Sequence, residues 1–135
     1  MDTHDLAVRF SELGSQQGYT FECQPIPGEV EVLEICLSEL QELPVYLSVT
    51  DTQVLCITYL WTEDEVRADL REAMLETMLV TNIPMPLSAF AKIDDRYVLF
   101  GALSNGSAFD DIVHEVVTLC ENAVEVIEAM EEFLN

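Results

Sequence analysis

Residues 44–61 contain the pattern that most constrains the fold, because they predict two strands of one hairpin. Apolar and polar side chains alternate over residues 45–49, which is typical of a strand with one buried face. Asp51 and Thr52 make a polar turn, and the return run to Trp61 is apolar on both faces, as in a central strand. The hairpin therefore predicts a sheet that helices must cover.

Four further strands are predicted, two before this hairpin and two after it: residues 19–23, 30–37, 89–93 and 96–103. The prolines of residues 25–28 break the chain between the first two. The apolar phase then changes, which indicates either cover on both faces or a bulge near Val32. Asp94 and Asp95 form the turn of the last hairpin.

Helices are predicted at both ends of the chain. Thr3 can cap the first helix, and Gly14 is a natural left-handed stop. The last helix follows a cap at Ser107 or Asp110, and its apolar residues keep helical spacing as far as Leu134. The dense apolar pattern predicts one α+β domain over residues 1–135. Its antiparallel sheet has five or six strands, in the order α-β-β-β-β-α-β-β-α.

The apolar pattern of the inserted helix predicts a second contact besides the one with the sheet. It begins at a capping box of Thr62 and Glu65 and continues to about Val80. Its apolar residues cover a wider arc than one contact needs, and the proline-rich loop after it adds more. We expect the surplus to form a protein interface, with a homodimer as the simplest case, through Leu75, Met78, Leu79, Ile83, Met85 and Leu87. The alternative is a helix sunk deeply enough to bury its whole arc.

Charge limits the classes of partner. The chain has 26 acidic and five basic residues and a formal charge of −21. It should repel phosphate backbones and anionic headgroups, so neither nucleic-acid binding nor direct membrane insertion is expected. A basic or amphipathic protein partner fits better, and we expect it to meet the face of the last helix that carries Glu121, Glu125 and Glu128.

The start of the chain and its apolar runs predict the compartment. The first residues do not form a signal sequence, and no run reaches the ~18 apolar residues of a membrane span. We therefore expect a cytoplasmic protein whose four cysteines are reduced thiols.

The sequence contains no catalytic or phosphate-binding motif, such as Gly-x-Ser-x-Gly or a glycine-rich loop between strand and helix. One ligand-like spacing exists, at the acidic start of the last helix, where Asp111, His114 and Glu115 stand at i, i+3 and i+4. Acidic residues at a helix start are also the ordinary complement of its dipole. A non-enzymatic interaction module without cofactor or metal is the primary hypothesis, and a small metal-dependent hydrolase is the alternative.

Two runs resemble a known family: Met-Pro-Leu-Ser-Ala-Phe-Ala-Lys-Ile at 85–93 and Tyr-Val-Leu-Phe-Gly-Ala-Leu-Ser at 97–104. They resemble the YjfI-like proteins, a bacterial domain-of-unknown-function family, and the match in length, acidity and element order covers essentially the whole chain. The resemblance implies a cytoplasmic bacterial protein encoded near homologues of the phage-shock membrane-stress protein. It transfers no catalytic residue.

The order of elements is also similar to that of the class I type III secretion chaperones. Those proteins are small, acidic and usually dimeric, and they bind segments of other proteins. This second resemblance implies the same fold and a chaperone-like role. Together, the two resemblances imply a chaperone-like or regulatory function in bacterial envelope stress.

Overall fold

The computed structural model describes residues 1–135, which form three α-helices and seven β-strands. The helices are α1 (Thr3–Glu12), α2 (Arg71–Thr81) and α3 (Phe109–Ala129). The strands are β1 (Ser15–Gln16), β2 (Tyr19–Ile26), β3 (Val32–Leu37), β4 (Val45–Val49), β5 (Val54–Thr62), β6 (Ala89–Ile93) and β7 (Arg96–Leu103). Three 3-10 turns complete the list: Glu63–Glu65, Ala68–Leu70 and Glu131–Phe133.

The strands form one antiparallel sheet in the order β1-β2-β3-β4-β5-β7-β6. The predicted α+β class is confirmed, whereas the predicted count of five or six strands is too low. The additional strand, β1, has two residues and pairs with the start of β2 across a turn at Gln17 and Gly18, both with positive φ. So short a strand leaves no periodicity in the sequence, which is why the count fell short.

The core lies on one face of the sheet, and all three helices contribute to it. From the sheet, the core takes alternate residues such as Leu33, Ile35, Leu47, Cys56 and Leu99. From the helices it takes Leu6 and Phe10 of α1, Met74 and Met78 of α2, and a long row from Ile112 to Val126 of α3. α1 contacts β2, β3 and β4, while α3 lies across β4, β5 and β7.

The opposite face of the sheet has no helix on it. Leu55, Ile57 and Tyr59 of β5 and Phe100 of β7 are half-buried and lie outside the core cluster. The Arg96 guanidinium lies over the Tyr59 ring, 3.7 Å from its centroid. β5 is a central strand, as its sequence predicts, but helices cover only one of its two apolar faces.

The segment after β5 differs from the prediction of a helix starting at Thr62. The Thr62–Glu65 capping box is present, but it closes only the 3-10 turn Glu63–Glu65. Val66 is extended and bridges Leu134, while Arg67 N–H donates to the Phe133 carbonyl at 2.8 Å. The C-terminal residues therefore hold this stretch extended, and α2 begins later, at Arg71.

Two predicted helix caps are wrong. Asp2, and not Thr3, caps α1, through a reciprocal capping box with Asp5, while Thr3 is buried. α3 begins after Ala108 with no side-chain cap, so neither Ser107 nor Asp110 has that role. Gly14 has the positive φ expected of a helix stop, +69°.

The phase change near Val32 needs no bulge. β3 begins at Val32, which pairs with Ile26, and Val30 lies outside the strand. β2 continues through Pro25 instead of ending before it. Beyond its contact with β1, β2 pairs only with β3, and an edge strand tolerates a proline.

Candidate protein-binding surface

Four large apolar residues are exposed in the segment that runs from the end of α2 into the loop before β6. They are Leu79, Val80, Ile83 and Leu87, which are 70%, 67%, 88% and 51% exposed. We call these four residues the α2 ridge. Residues 77–91 around it contain no charged side chain, although the whole chain carries −21. Large apolar side chains grouped on a surface are typical of protein contact sites.

The six residues predicted to form an interface fall into two groups. Leu79, Ile83 and Leu87 lie on the α2 ridge, so the alternative of a fully buried arc does not describe them. Met78 belongs to the core, and Leu75 and Met85 are half-buried against it. Sequence spacing placed all six on one surface, whereas the core takes one side of α2 and leaves the other in solvent.

The loop after α2 is fixed by side-chain amides. Asn82 Oδ1 accepts a hydrogen bond from Phe90 N–H at 2.7 Å. The Asn122 amide of α3 donates to the Pro86 carbonyl at 2.9 Å and to Ser88 Oγ at 3.0 Å. Asn122 and Ser88 are both buried. The loop is therefore tied to α3 and β6, and its apolar side chains project from a fixed backbone.

Leu87 has an unusual backbone conformation, with a φ of +64°. Ser88 N–H donates to the Pro86 carbonyl at 2.8 Å, so Leu87 is the centre of a three-residue turn of the rare, strained kind. A sparsely populated backbone conformation of this kind costs a residue with a side chain about 1–3 kcal/mol. Strained residues of this kind cluster at active sites, ligand-binding sites and switch regions.

The predicted acidic face of α3 is exposed. Glu121, Glu125 and Glu128 all lie at the surface, and none of them forms an ion pair. Glu121 Oε2 accepts a hydrogen bond from the Tyr19 hydroxyl at 3.0 Å, which raises the pKa of Tyr19. The role of this face in binding a partner stays a prediction.

The three residues of the predicted metal site at the start of α3 do not come together. Asp111 and His114 are exposed, but Glu115 is buried and points at Gly101 of β7. Burial raises the pKa of Glu115, against an opposing effect of His114. No group of three His, Cys, Asp or Glu residues is placed to hold a metal ion. The missing side chain of Gly101 leaves the room that Glu115 occupies, a pairing that helical spacing cannot reveal.

The cysteines are four unpaired thiols, as predicted. Burial raises the pKa of Cys23 and of Cys120 to about 11 each, and it also raises those of Cys36 and Cys56. Thiols with raised pKa values stay protonated at neutral pH and are poor nucleophiles. These residues therefore contribute packing and not chemistry.

Glu63 is the most heavily bonded carboxylate of the chain. Its Oε1 accepts from Arg71 at 3.0 Å, from Lys92 at 2.9 Å and from the Tyr97 hydroxyl at 2.9 Å. The bonds from Arg71 and Lys92 are the main reason that the pKa of Glu63 falls to about 2. The cluster fastens the approach to α2 onto β6 and β7. Sequence reasoning missed it because two of the partners are 29 and 34 residues away.

No helix combines the length and the apolar character needed to cross a membrane. Among known proteins, the chain is similar to the "Uncharacterized protein YjfI" of Escherichia coli K12. The two are 27% identical over 113 residues, which cover 80% of this chain and 83% of that protein. The YjfI protein of E. coli O157:H7 matches equally well.

Solved structures share the fold at low sequence identity. YbjN from E. coli, described as a candidate transcription regulator, is 17% identical with a TM-score of 0.65, covering 97% of this chain and 92% of its own. The Yersinia pestis type III secretion chaperone SycH, in complex with a fragment of YscM2, is 17% identical with a TM-score of 0.58, covering 90% and 96%. A chain of the heterodimeric ExoU–SpcU complex of Pseudomonas aeruginosa is 16% identical with a TM-score of 0.53, covering 78% and 80%.

These similarities confirm both resemblances noted in the sequence, to the YjfI-like proteins and, in fold, to the type III secretion chaperones. They transfer no site residue. Residues 1–134 match a single family along their whole length. The chain belongs to that family, described as "Uncharacterized protein conserved in bacteria (DUF2170)".

Proposed function

We propose that this protein is a non-enzymatic module of the bacterial cytoplasm that binds other proteins and acts as a homodimer. Its role is chaperone-like or regulatory. The observation that carries the proposal is the α2 ridge, a surface of large apolar side chains on a loop fixed by buried hydrogen bonds. Burial of that surface against a second protein would remove it from water and release a favourable free energy.

The occupant that we propose for the ridge is a second copy of this chain, because the ridge lies in an uncharged stretch. Two molecules of −21 repel each other wherever carboxylates face carboxylates. The uncharged stretch 77–91 is a surface on which two copies can meet without such pairs. The charged residues of α2 itself, Arg71, Glu72 and Glu76, sum to only −1. A twofold contact is the commonest way for identical surfaces to associate.

The solved relatives in fold support the protein-binding part of the proposal. SycH holds a fragment of YscM2, and ExoU–SpcU is a heterodimer. A likeness at 16–17% identity carries over the fold alone, so a chaperone-like role is proposed for this chain on its own surface. The placement in envelope stress rests on the resemblance to the YjfI-like family.

The test is molar mass by light scattering after size exclusion. We expect a dimer for the natural chain and a folded monomer for Leu79→Glu combined with Ile83→Glu. The matched control is Val8→Glu with Val30→Glu, which also replaces two exposed apolar side chains by acids, on surfaces away from the ridge. The control should remain dimeric. A natural chain that is monomeric at every concentration, or a control that dissociates as readily, would refute the proposed dimer.

A further inference from the structure

A groove lies between the β3–β4 connection and the last turns of α3. Seven residues line it: Glu39, Leu40, Gln41, Glu42, Leu43, Val124 and Ile127. Its volume is about 640 Å³, within the range of sites that hold a ligand or several side chains. Residues 38–43 contain no recognisable binding motif, so the sequence does not predict this site.

The floor of the groove is apolar and its rim is acidic. Leu40, Leu43 and Ile127 are half-buried against the core, and Val124 is partly exposed above them. Glu39 and Glu42 stand exposed on one side. On the other side, the exposed Glu121 and Glu128 lie on the same face of α3 as Val124, one turn before and one turn after it.

The walls of the groove are held in place. Leu40 N–H donates to the Leu37 carbonyl and Leu43 N–H to the Leu40 carbonyl, each at 3.1 Å, which folds the connection into two tight turns. The Cys120 thiol donates to the Leu43 carbonyl at 3.4 Å and so ties the connection to α3. Glu39 has a φ of +69°, a strained backbone for a residue with a side chain. The groove is therefore preformed.

No cation of this chain neutralises the rim. Arg67 pairs with Asp69, and both Arg71 and Lys92 pair with Glu63. Arg9 lies over the Phe109 ring, and Arg96 lies over the Tyr59 ring. All five basic residues of the chain are accounted for in this way. The positive charge that the rim attracts has to come from another molecule.

We propose that this groove binds a basic amphipathic segment of a protein partner. The apolar side chains of the segment enter between Leu40, Leu43, Val124 and Ile127, while flanking Lys or Arg side chains meet the carboxylates of Glu39 and Glu42. The proposal rests on the proposed function as a protein-binding module and names the chemical class of the partner. It does not depend on the dimer, because the groove and the α2 ridge share no residue.

The test is fluorescence anisotropy with a labelled synthetic peptide that carries Leu at i, i+3, i+4 and i+7 and Lys at the other positions. Two matched peptides replace Lys by Glu or scramble the Leu positions. We expect the Lys–Leu peptide alone to bind, with an affinity that falls as salt rises. Glu39→Gln with Glu42→Gln should weaken binding about fivefold. Val124→Ser removes an apolar side chain from the groove and leaves the net charge unchanged, and it should weaken peptide binding as well.

The matched control is Glu29→Gln with Glu31→Gln. It also removes two negative charges, from exposed positions just before β3. The groove residues Glu39 and Glu42 follow the other end of that strand. It should leave peptide affinity within about twofold. Equal weakening by both charge pairs would show general attraction to an acidic surface and would overturn the proposal, as would binding of the scrambled peptide or no binding. The same peptide titration is repeated on Leu79→Glu combined with Ile83→Glu, which should no longer dimerise. If this variant binds the peptide as the natural chain does, the groove works without the dimer, and the two proposals are tested separately.

Discussion

The helices α2 and α3 use apolar side chains in opposite ways. Ten residues of the 21-residue α3 are buried, and its apolar stripe lies flat on β4, β5 and β7. Only Met74 and Met78 of the 11-residue α2 are buried, while Leu79 and Val80 stand in solvent. Apolar content alone therefore does not separate a core helix from a binding helix.

The apolar stripe differs in length between the two helices. In α3, apolar residues recur as adjacent pairs one turn apart, from Ile112 and Val113 to Ala123, which keeps one stripe toward the sheet. In α2 the same spacing covers only two turns, with Met74 beside Leu75 and Met78 beside Leu79. The core takes the two methionines, and Leu79 on the far side lies in solvent. α3 therefore holds the fold together, and association through α2 stays the proposal to be tested.

The largest expected effect comes from the same substitution on the two helices. Leu119 of α3 is fully buried, whereas Leu79 of α2 is largely exposed. Leu119→Ala should lower the free energy of unfolding by about 2–5 kcal/mol, because it removes buried methyl groups and leaves a cavity. Leu79→Ala should change it by less than about 0.5 kcal/mol. Urea melts measure both losses. Every chain in this comparison also carries Ile83→Glu, so that self-association does not contribute to the measured free energy. Similar losses of unfolding free energy at both positions would show that the two helices do not differ in this way.

The sequence predicts much more of α3 and its sheet than of the segment before α2. Strand alternation and the long stripe of α3 are local patterns, and they led to the correct class and to the order of the long elements. Val66 is extended because it bridges Leu134, 68 positions further on, and no local pattern records that. For the same reason the Glu63 cluster, the groove and the inward turn of Glu115 could not be predicted.

The contact between α3 and β7 gives the second prediction. A Cβ on Gly101 would overlap Glu115 Oε1 and would lie 3.0 Å from the Leu87 carbonyl oxygen. Gly101→Ala should therefore cost about 1–3 kcal/mol, because side chain and loop must shift inside a packed region. Glu115→Ala in the same chain should recover part of that loss. Strictly additive losses in the double variant would show that the two residues do not compete for one space.

Two carboxylates should give opposite pH dependences. Glu63 beside α2 has its pKa lowered from 4.5 to about 2, so its stabilising effect is complete above pH 4.5 and is lost as pH falls from there toward 2. Glu115 on α3 has a raised pKa, so its charged form is disfavoured in the fold and stability falls as pH rises through that pKa.

The corresponding Gln variants separate these effects at neutral pH. Glu63→Gln should destabilise, because Gln cannot pair with Arg71 and Lys92, and its difference from the natural chain should shrink below pH 4.5. Glu115→Gln should stabilise at pH 7 and should lose that advantage in acid. Thermal melts of the three chains from pH 3 to 8 provide the measurement. A shift of the same sign for both variants would contradict the assignment.

The smallest expected effect concerns the residue that first marked α2 in the sequence. Glu65 Oε1 accepts from Thr62 N–H at 3.1 Å and from the Thr62 hydroxyl at 2.9 Å, so the capping interaction exists. It closes one 3-10 turn, and the extended Val66 and Arg67 separate that turn from α2. Thr62→Ala should therefore cost about 0.5 kcal/mol, the low end of the range for caps that start a full helix. Asp2→Ala, which removes the cap of α1, is the matched comparison in urea melts and should cost more.

A loss near 2 kcal/mol for Thr62→Ala would show that the turn and α2 unfold as one unit. That result would make α2 part of the framework and remove the contrast with α3.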